Sequence, residues 1–100
     1  MKVNYNIQCE MCKIFSNSNR MRILIALRKK PKTVSGLMEI TELPQSVVSQ
    51  HLSIMHNKGI LNKEKKGSFV QYGLKYPEMM QAFDMMKEIT KKAKSRWIRQ

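Results

Sequence analysis

The sequence predicts one mostly α-helical domain with a small β-hairpin, in the order α-α-α-α-β-β-α. Its 100 residues leave room for a single modest core. Apolar residues recur at helical spacing in five segments, and two strand-like stretches, "ILNKEKK" and "SFVQYGL", flank Lys66-Gly67-Ser68. A glycine between two such stretches is typical of a hairpin turn, so we expect the hairpin at about residues 60–74.

The first two helices are separated by "SNSN", residues 16–19, whose side chains favour helix N-termini. We expect the first helix at about residues 6–16 and the second within "RMRILIALRKK", residues 20–30, with the basic residues in its last turn. Pro31 ends the second helix. Its predicted core residues are Met21, Leu24, Ile25 and Leu27.

A pair of helices joined by a short turn is predicted at about residues 33–58. Thr33 or Ser35 can cap the third helix, which ends near Thr41. The turn "ELP" follows, and the fourth helix spans Gln45 to Lys58 before Gly59 stops it.

The final helix, at about residues 77–97, carries an apolar stripe longer than the core of a small monomer needs. We therefore expect it to form a dimer interface together with the first helix. The residues predicted at this interface are Ile7, Met11, Met79, Phe83, Met86 and Trp97.

The charge of the chain predicts a polyanionic partner. Lys and Arg number 19 against 7 acidic residues, for a net charge of +12. Double-stranded DNA and an acidic membrane surface are the two candidates. No apolar run approaches the ~20 residues of a membrane span, and no signal peptide is evident, so we expect a cytoplasmic protein without a membrane partner.

The segment "PQSVVSQHL", residues 44–52, favours DNA. On a helix, Val48 and Leu52 lie on one side, whereas the opposite side bears only hydroxyls and amides. A helix pair with such a face, followed by a basic hairpin, is typical of a winged helix-turn-helix, whose second helix enters the major groove. The predicted DNA contacts are Gln45, Ser46, Ser49, Gln50 and Ser53 on the helix, and Lys63, Lys65, Lys66 and Ser68 on the wing. A plain solvated helix face is the alternative.

The same residues resemble a known family. "IFSNSNRMRILIAL" is similar to the "AL-SDPTRLRIL-LL" opening of ArsR/SmtB-type repressors, and "KGSFVQYGL" to their wing, "EGRWVYYRL". Between these segments, "TVSGLMEITELPQSVVSQHLSIMHNKGIL" resembles "TVSELAEALGLSQSTVSHHLKVLREAGLV" without a gap. The resemblance covers residues 14–74. It implies a homodimeric, operator-binding repressor that a signal releases, with Gln45, Ser46, Ser49 and Gln50 near the bases and the outer helices building the dimer.

Two departures from the family pattern affect the DNA-binding segment. Glu42 stands where a glycine often makes the turn, which implies either a less demanding backbone angle or strain. Gln50-His51 replaces the common "HH" or "HQ", which leaves the base preference open. We expect His51 to pack or to bond a backbone carbonyl, with a phosphate contact as the alternative.

Neither metal site usual in this family can be built. The third helix lacks cysteine, and Asp84 and Glu88 on the final helix have no histidine beside them. "CEMC" remains, and Cys9 and Cys12 allow three interpretations: small apolar residues in the dimer interface, a thiol-based switch, or zinc or another thiophilic metal shared across the dimer.

The sequence thus predicts a sequence-specific transcriptional regulator that is not an enzyme. A non-specific DNA-compacting protein would use the same charge without reading bases, and is the alternative. A CxxC thiol-redox protein is a third interpretation, but no strand of adequate length precedes Cys9.

Overall fold

The computed structural model describes residues 2–97, except for the side chains of Ser95 and Trp97. Five helices and three short strands are found in this part of the chain, in the order predicted apart from one additional strand. The elements are α1 (Tyr5–Ile14), α2 (Ser18–Ala26), β1 (Lys32–Thr33), α3 (Val34–Thr41), α4 (Gln45–Asn57), β2 (Leu61–Lys66), β3 (Phe69–Leu74) and α5 (Met79–Trp97).

Short polar side chains cap the first three helices. The Asn4 side chain accepts from two backbone N–H groups at the start of α1. Asn17 caps α2 by accepting from the Arg20 N–H at 3.0 Å. Thr33, one of the two predicted caps, accepts from the Gly36 N–H at 3.0 Å and begins α3. These bonds satisfy N–H groups that have no partner within the helix.

The core lies in the middle of the chain, because all its fully buried apolar residues except Ile14 and Met80 fall between Ile23 and Leu61. Leu24 and Leu27 are buried as predicted. The prediction for Ile25 was wrong, since this side chain is 47% exposed. Ile23 is buried instead, because the inward face of α2 runs along Ile23, Leu24 and Leu27 and places Ile25 about 100° beyond Leu24.

The basic residues after α2 were also misplaced by the sequence analysis. The helix ends at Ala26, so Arg28 lies beyond its last turn. Arg28 instead forms a two-pronged ion pair with Asp84 of α5, with Nη1 donating to Oδ1 at 2.7 Å. This hydrogen bond lowers the pKa of Asp84 and raises that of Arg28.

The sheet contains a strand that the sequence did not reveal. β1 pairs antiparallel with β3, and the strand order is β1-β3-β2. A strand of two residues carries no alternation that could be recognised. The predicted hairpin is present as β2 and β3, joined through Gly67 at φ 62°. We call these two strands and their turn, residues 61–74, the wing.

Among the described side chains of α5, those that pack on the core lie in its first turns. Met80, outside the predicted stripe, is fully buried, and Met79 and Phe83 are half-buried. Met86 is 62% exposed, and the side chain of Trp97 lies outside the described residues. In residues 2–97, no helix is long and apolar enough to cross a membrane.

Candidate nucleic-acid interface

α4 has two distinct faces. Val48, His51, Leu52 and Met55 are buried against the core. The exposed face carries the five residues predicted to contact DNA, Gln45, Ser46, Ser49, Gln50 and Ser53. We call these five residues the polar face of α4. The structure thus brings them together on one surface that bears hydrogen-bonding groups and no charge.

The turn before α4 has a demanding backbone conformation. Glu42 ends α3 in the left-handed region, at φ 59° and ψ 27°, so the strained alternative for this position applies. The Thr41 hydroxyl donates to the Leu37 carbonyl at 2.6 Å and accepts from the Leu43 N–H at 3.3 Å. Pro44 then begins α4 without a side-chain cap. Such a helix start leaves N–H groups that suit a DNA phosphate.

The wing does not place its three predicted lysines on one face. Successive strand residues point to opposite sides, so Lys63 and Lys65 share a face and Lys66 lies on the other. The Lys63 ammonium is 5.8 Å from the ring centroid of Tyr72, its cross-strand partner. Lys66 forms an ion pair with Glu64 at 3.2 Å, which partly neutralises its charge.

Phe69 is a candidate contact that the sequence analysis missed. It pairs with Lys66 next to the wing turn and is 64% exposed, whereas Ser68 is the exposed turn residue that was predicted. An apolar ring at this position can contact thymine methyl groups or sugars. The signal was a large aromatic residue directly after the turn, where a soluble hairpin needs none.

His51 is buried and contacts an arginine. It is 9% exposed, and its Nδ1 lies 3.5 Å from Nη1 of Arg20. The expectation that it packs is met, but this polar partner is a guanidinium and not a backbone carbonyl. Burial lowers the pKa of His51, and the charge of Arg20 lowers it further. Both effects favour the neutral imidazole, and because a guanidinium only donates, Nδ1 is assigned as the acceptor.

Both cysteines are exposed on α1. Cys12 borders an open apolar groove between α1, α2 and α5, which we call the α1–α5 groove. Within the described part of the chain, no three histidine, cysteine or acidic residues gather closely enough to hold a metal ion. The groove is lined by Cys12, Phe15, Met21, Ala82, Phe83 and Met86, together with the polar residues Ser16, Lys87, Thr90, Lys91 and Lys94.

Sequence comparison identifies the class of protein. The profile described as "Bacterial regulatory protein, arsR family" matches residues 17–63, from the cap of α2 into β2. The chain is 34% identical over 71 residues to the transcriptional repressor PagR of Bacillus anthracis, covering 70% of this chain and 71% of PagR. It is 30% identical over 76 residues to the transcriptional activator HlyU of Vibrio cholerae, covering 76% of this chain and 70% of HlyU.

Solved structures agree with this similarity. The PagR crystal structure superposes with a TM-score of 0.72 at 29% identity, over 82% of this chain and 94% of PagR. A structure from Mycobacterium bovis, described as a homodimeric winged helix-turn-helix DNA-binding domain, gives 0.77 at 15% identity, over 92% of this chain and 85% of that one, and supports the fold alone. The chain belongs to the arsR family of bacterial regulatory proteins, a family of transcriptional regulators and not of enzymes. The predicted family and fold are thereby confirmed.

Proposed function

We propose that the chain is a homodimeric repressor that binds an inverted-repeat operator through the polar face of α4. The observation that carries this proposal is the exposure of five hydrogen-bonding, uncharged residues along one side of α4, in a chain of net charge +12. A surface intended only for solubility or for non-specific phosphate binding would carry charge.

In this proposal the polar face of α4 contacts the base edges, and the wing contacts the DNA backbone. Glutamine can donate to and accept from the edge of adenine, so Gln45 and Gln50 are suited to direct readout in the major groove. Lys63 and Lys65 are suited to neutralise phosphates beside it, since they share one face of the wing. The short serines between the glutamines allow α4 to lie deep in the groove.

The proposed dimer uses α1 and α5. Ile7 is 65% exposed and Met86 62%, and the α1–α5 groove is mostly apolar. A second copy would cover these residues, and its twofold symmetry would present two α4 helices to half-sites roughly one helical turn, ~34 Å, apart. The Mycobacterium bovis structure of the same fold is described as homodimeric, which supports a dimer without assigning its interface.

Base readout is tested by selecting an operator from a pool of randomised duplexes. Fluorescence anisotropy then compares the selected duplex with a scrambled one at fixed salt. Gln50→Ala should reduce the discrimination roughly 5- to 150-fold, the value of one bidentate base contact. Gln81→Ala, which removes an exposed glutamine from α5, is the matched control. Unchanged discrimination in Gln50→Ala would contradict the assigned role of the polar face.

The same titration separates the two ways of binding DNA. If wild-type protein binds selected and scrambled duplexes equally at moderate salt, the chain is a non-specific DNA-compacting protein.

Transcription in vitro from a promoter containing the selected operator tests the direction of regulation. A repressor should reduce the amount of transcript when the protein is added. An increase would indicate activation, the role given in the description of HlyU as a transcriptional activator.

Dimerisation is tested by placing a charged side chain on the apolar side of α5. Met86→Glu places a carboxylate in the α1–α5 groove and should shift sedimentation towards the monomer. Met85 is also exposed but does not line the groove, so Met85→Glu is a matched control that should remain dimeric. A dimer that persists in Met86→Glu would exclude this interface.

We infer that Cys9 and Cys12 form a thiol-responsive site beside the proposed dimer interface, because both side chains are exposed on one copy and Cys12 lines the α1–α5 groove. They lie three residues apart on α1, where side chains are neighbours. Diamide would remove two protons and two electrons from the pair, joining the sulfurs and becoming a hydrazine. Oxidation should then weaken operator binding in wild type but not in Cys9→Ser. Weakening by zinc alone would instead support a metal shared by four thiolates of two copies.

A further inference from the structure

Arg20 connects the end of α1 with the inward face of α4. It is the third residue of α2, and its Nε donates to the Ile14 carbonyl at 3.2 Å. Its Nη2 donates to the Lys13 carbonyl at 3.3 Å. The Lys13 carbonyl also accepts from the N–H and the hydroxyl of Ser16, whereas Arg20 is the donor described for the Ile14 carbonyl at the end of α1. These two contacts hold the guanidinium in place.

The remaining nitrogen of this guanidinium faces α4. Nη1 of Arg20 lies 3.5 Å from Nδ1 of His51, across 31 residues of sequence. His51 immediately follows Gln50 of the polar face, so the two residues lie on adjacent sides of the same helical turn. A guanidinium only donates hydrogen bonds, and the contact therefore requires an unprotonated Nδ1.

The surroundings of His51 contain one acting charge among the described residues. Arg20 faces it from α2. On α1, the Lys13 ammonium is engaged by Glu10 at 2.8 Å. Glu39 and Glu42, on or beside α3, are exposed and make no described bond to the imidazole. A second positive charge on His51 would therefore meet the guanidinium without a compensating carboxylate.

We propose that Arg20 and His51 are positioning residues that fix the rotation of α4 against α1 and α2 and thereby set operator affinity. This inference rests on the proposed function, since the affected property is recognition by the polar face. Protonation of His51 should make the imidazolium and the Arg20 guanidinium repel each other. The resulting rotation of α4 should move Gln50 and its neighbours away from the base edges that they contact.

A second contact between α1 and α4 serves as a comparison. Glu10 and the Lys58 ammonium lie 3.7 Å apart, and both side chains are exposed. Exposed ion pairs contribute little because water and salt screen them. The Arg20 contacts with the Ile14 carbonyl and with His51 are partly buried and involve a charged donor, which makes both of them stronger. Arg20, rather than Glu10, is therefore expected to control the position of α4.

Anisotropy titrations on the selected operator test this role at fixed salt. Arg20→Gln should lower operator affinity on the order of tenfold while leaving affinity for the scrambled duplex unchanged. Lys58→Gln, which removes the exposed contact with Glu10 and leaves the Glu10–Lys13 pair in place, should stay within about twofold. Circular dichroism verifies that each variant is folded.

The pH profile gives a readout that a purely structural role would not change. The chain has 2 histidines, so in a His56→Gln background the remaining imidazole is His51. Operator affinity of this protein, relative to scrambled DNA, should fall as the pH drops below about 6.5, the ordinary imidazole pKa. Adding His51→Gln should flatten the profile. In Arg20→Gln, the NMR titration midpoint of His51 should rise, because a cation that disfavours protonation is gone.

These outcomes separate the two proposals. Unchanged operator affinity in folded Arg20→Gln, or a pH response that persists without His51, would overturn the positioning role while selective binding by wild type stands. If Arg20→Gln does not fold, the pH profiles with and without His51 still decide the question. Equal binding of selected and scrambled DNA by wild type would overturn the proposed function itself, and the positioning role with it.

Discussion

Replacing Glu42 by glycine is expected to stabilise the protein, because the residue lies in the left-handed region at φ 59° and ψ 27°. This conformation costs a residue with a Cβ roughly 1–2 kcal/mol, and glycine adopts it freely. Glycine also gives the unfolded chain more entropy, which offsets about 0.4–1 kcal/mol. The Glu42 carboxylate forms no described ion pair and lies at the negative end of α3, so little is lost with it. The net gain is about 0.5–1 kcal/mol.

Thermal unfolding followed by circular dichroism measures this gain. Tm should rise by roughly 2–8 °C for a domain of this size. Protein concentration must be fixed, since dimerisation also changes Tm. Glu39→Gly is the matched control: the same exchange at an exposed position inside α3 should cost about 1 kcal/mol and lower Tm. If both variants shift Tm in the same direction, the backbone angle of Glu42 carries no cost and the reasoning fails.

Three further predictions concern the core, the pH response and the wing. Leu24→Ala removes a fully buried side chain and should cost about 2–5 kcal/mol in urea unfolding, whereas Ile25→Ala should cost less than about 1 kcal/mol. Folding lowers the pKa of His51, so protonation favours the unfolded chain. The stability contributed by the neutral imidazole is therefore complete above about pH 6.5 and is lost as the pH falls below that value. Urea midpoints across this range should drop in wild type and not in His51→Gln. Lys65→Ala should lower the salt slope of DNA binding by about one, and Lys66→Ala by less because Glu64 already pairs with it. Equal slopes for both lysine variants would contradict this assignment.

Local signals allowed much of the fold to be predicted. Asn17 and Thr33 are caps recognisable from residue type alone, and Gly67 marked the hairpin. The error in the predicted core arises in α2, where two neighbouring apolar sides of the helix could each face the core. Ile25 was assigned to the core although tertiary packing selects Ile23, and no local pattern distinguishes them. Tertiary context likewise decides whether a two-residue segment such as β1 pairs with a strand.

The candidate site was predictable to the extent that it follows helical periodicity. The residues of the polar face of α4 recur at helical spacing within one short segment, so periodicity alone grouped Gln45, Ser46, Ser49, Gln50 and Ser53. The Arg20–His51 contact joins residues 31 positions apart and leaves no periodic trace. The division of the wing lysines between two faces follows from strand alternation alone, whereas the register of β2 decides which face each set of lysines takes.

The position of the core indicates that two properties of the proposed dimer are controlled separately: the distance between its two α4 helices and the rotation of each α4 within its own copy. Among the described side chains, α1 and α5 contribute only Ile14 and Met80 to the buried core, so the exposed apolar surface of these helices depends on a partner. Packing between two copies at the α1–α5 groove would therefore set the distance between their α4 helices. Rotation of each α4 would be set within one copy, by Arg20. A substitution in the groove should then change the preferred half-site spacing, whereas a substitution of Arg20 should weaken binding at every spacing.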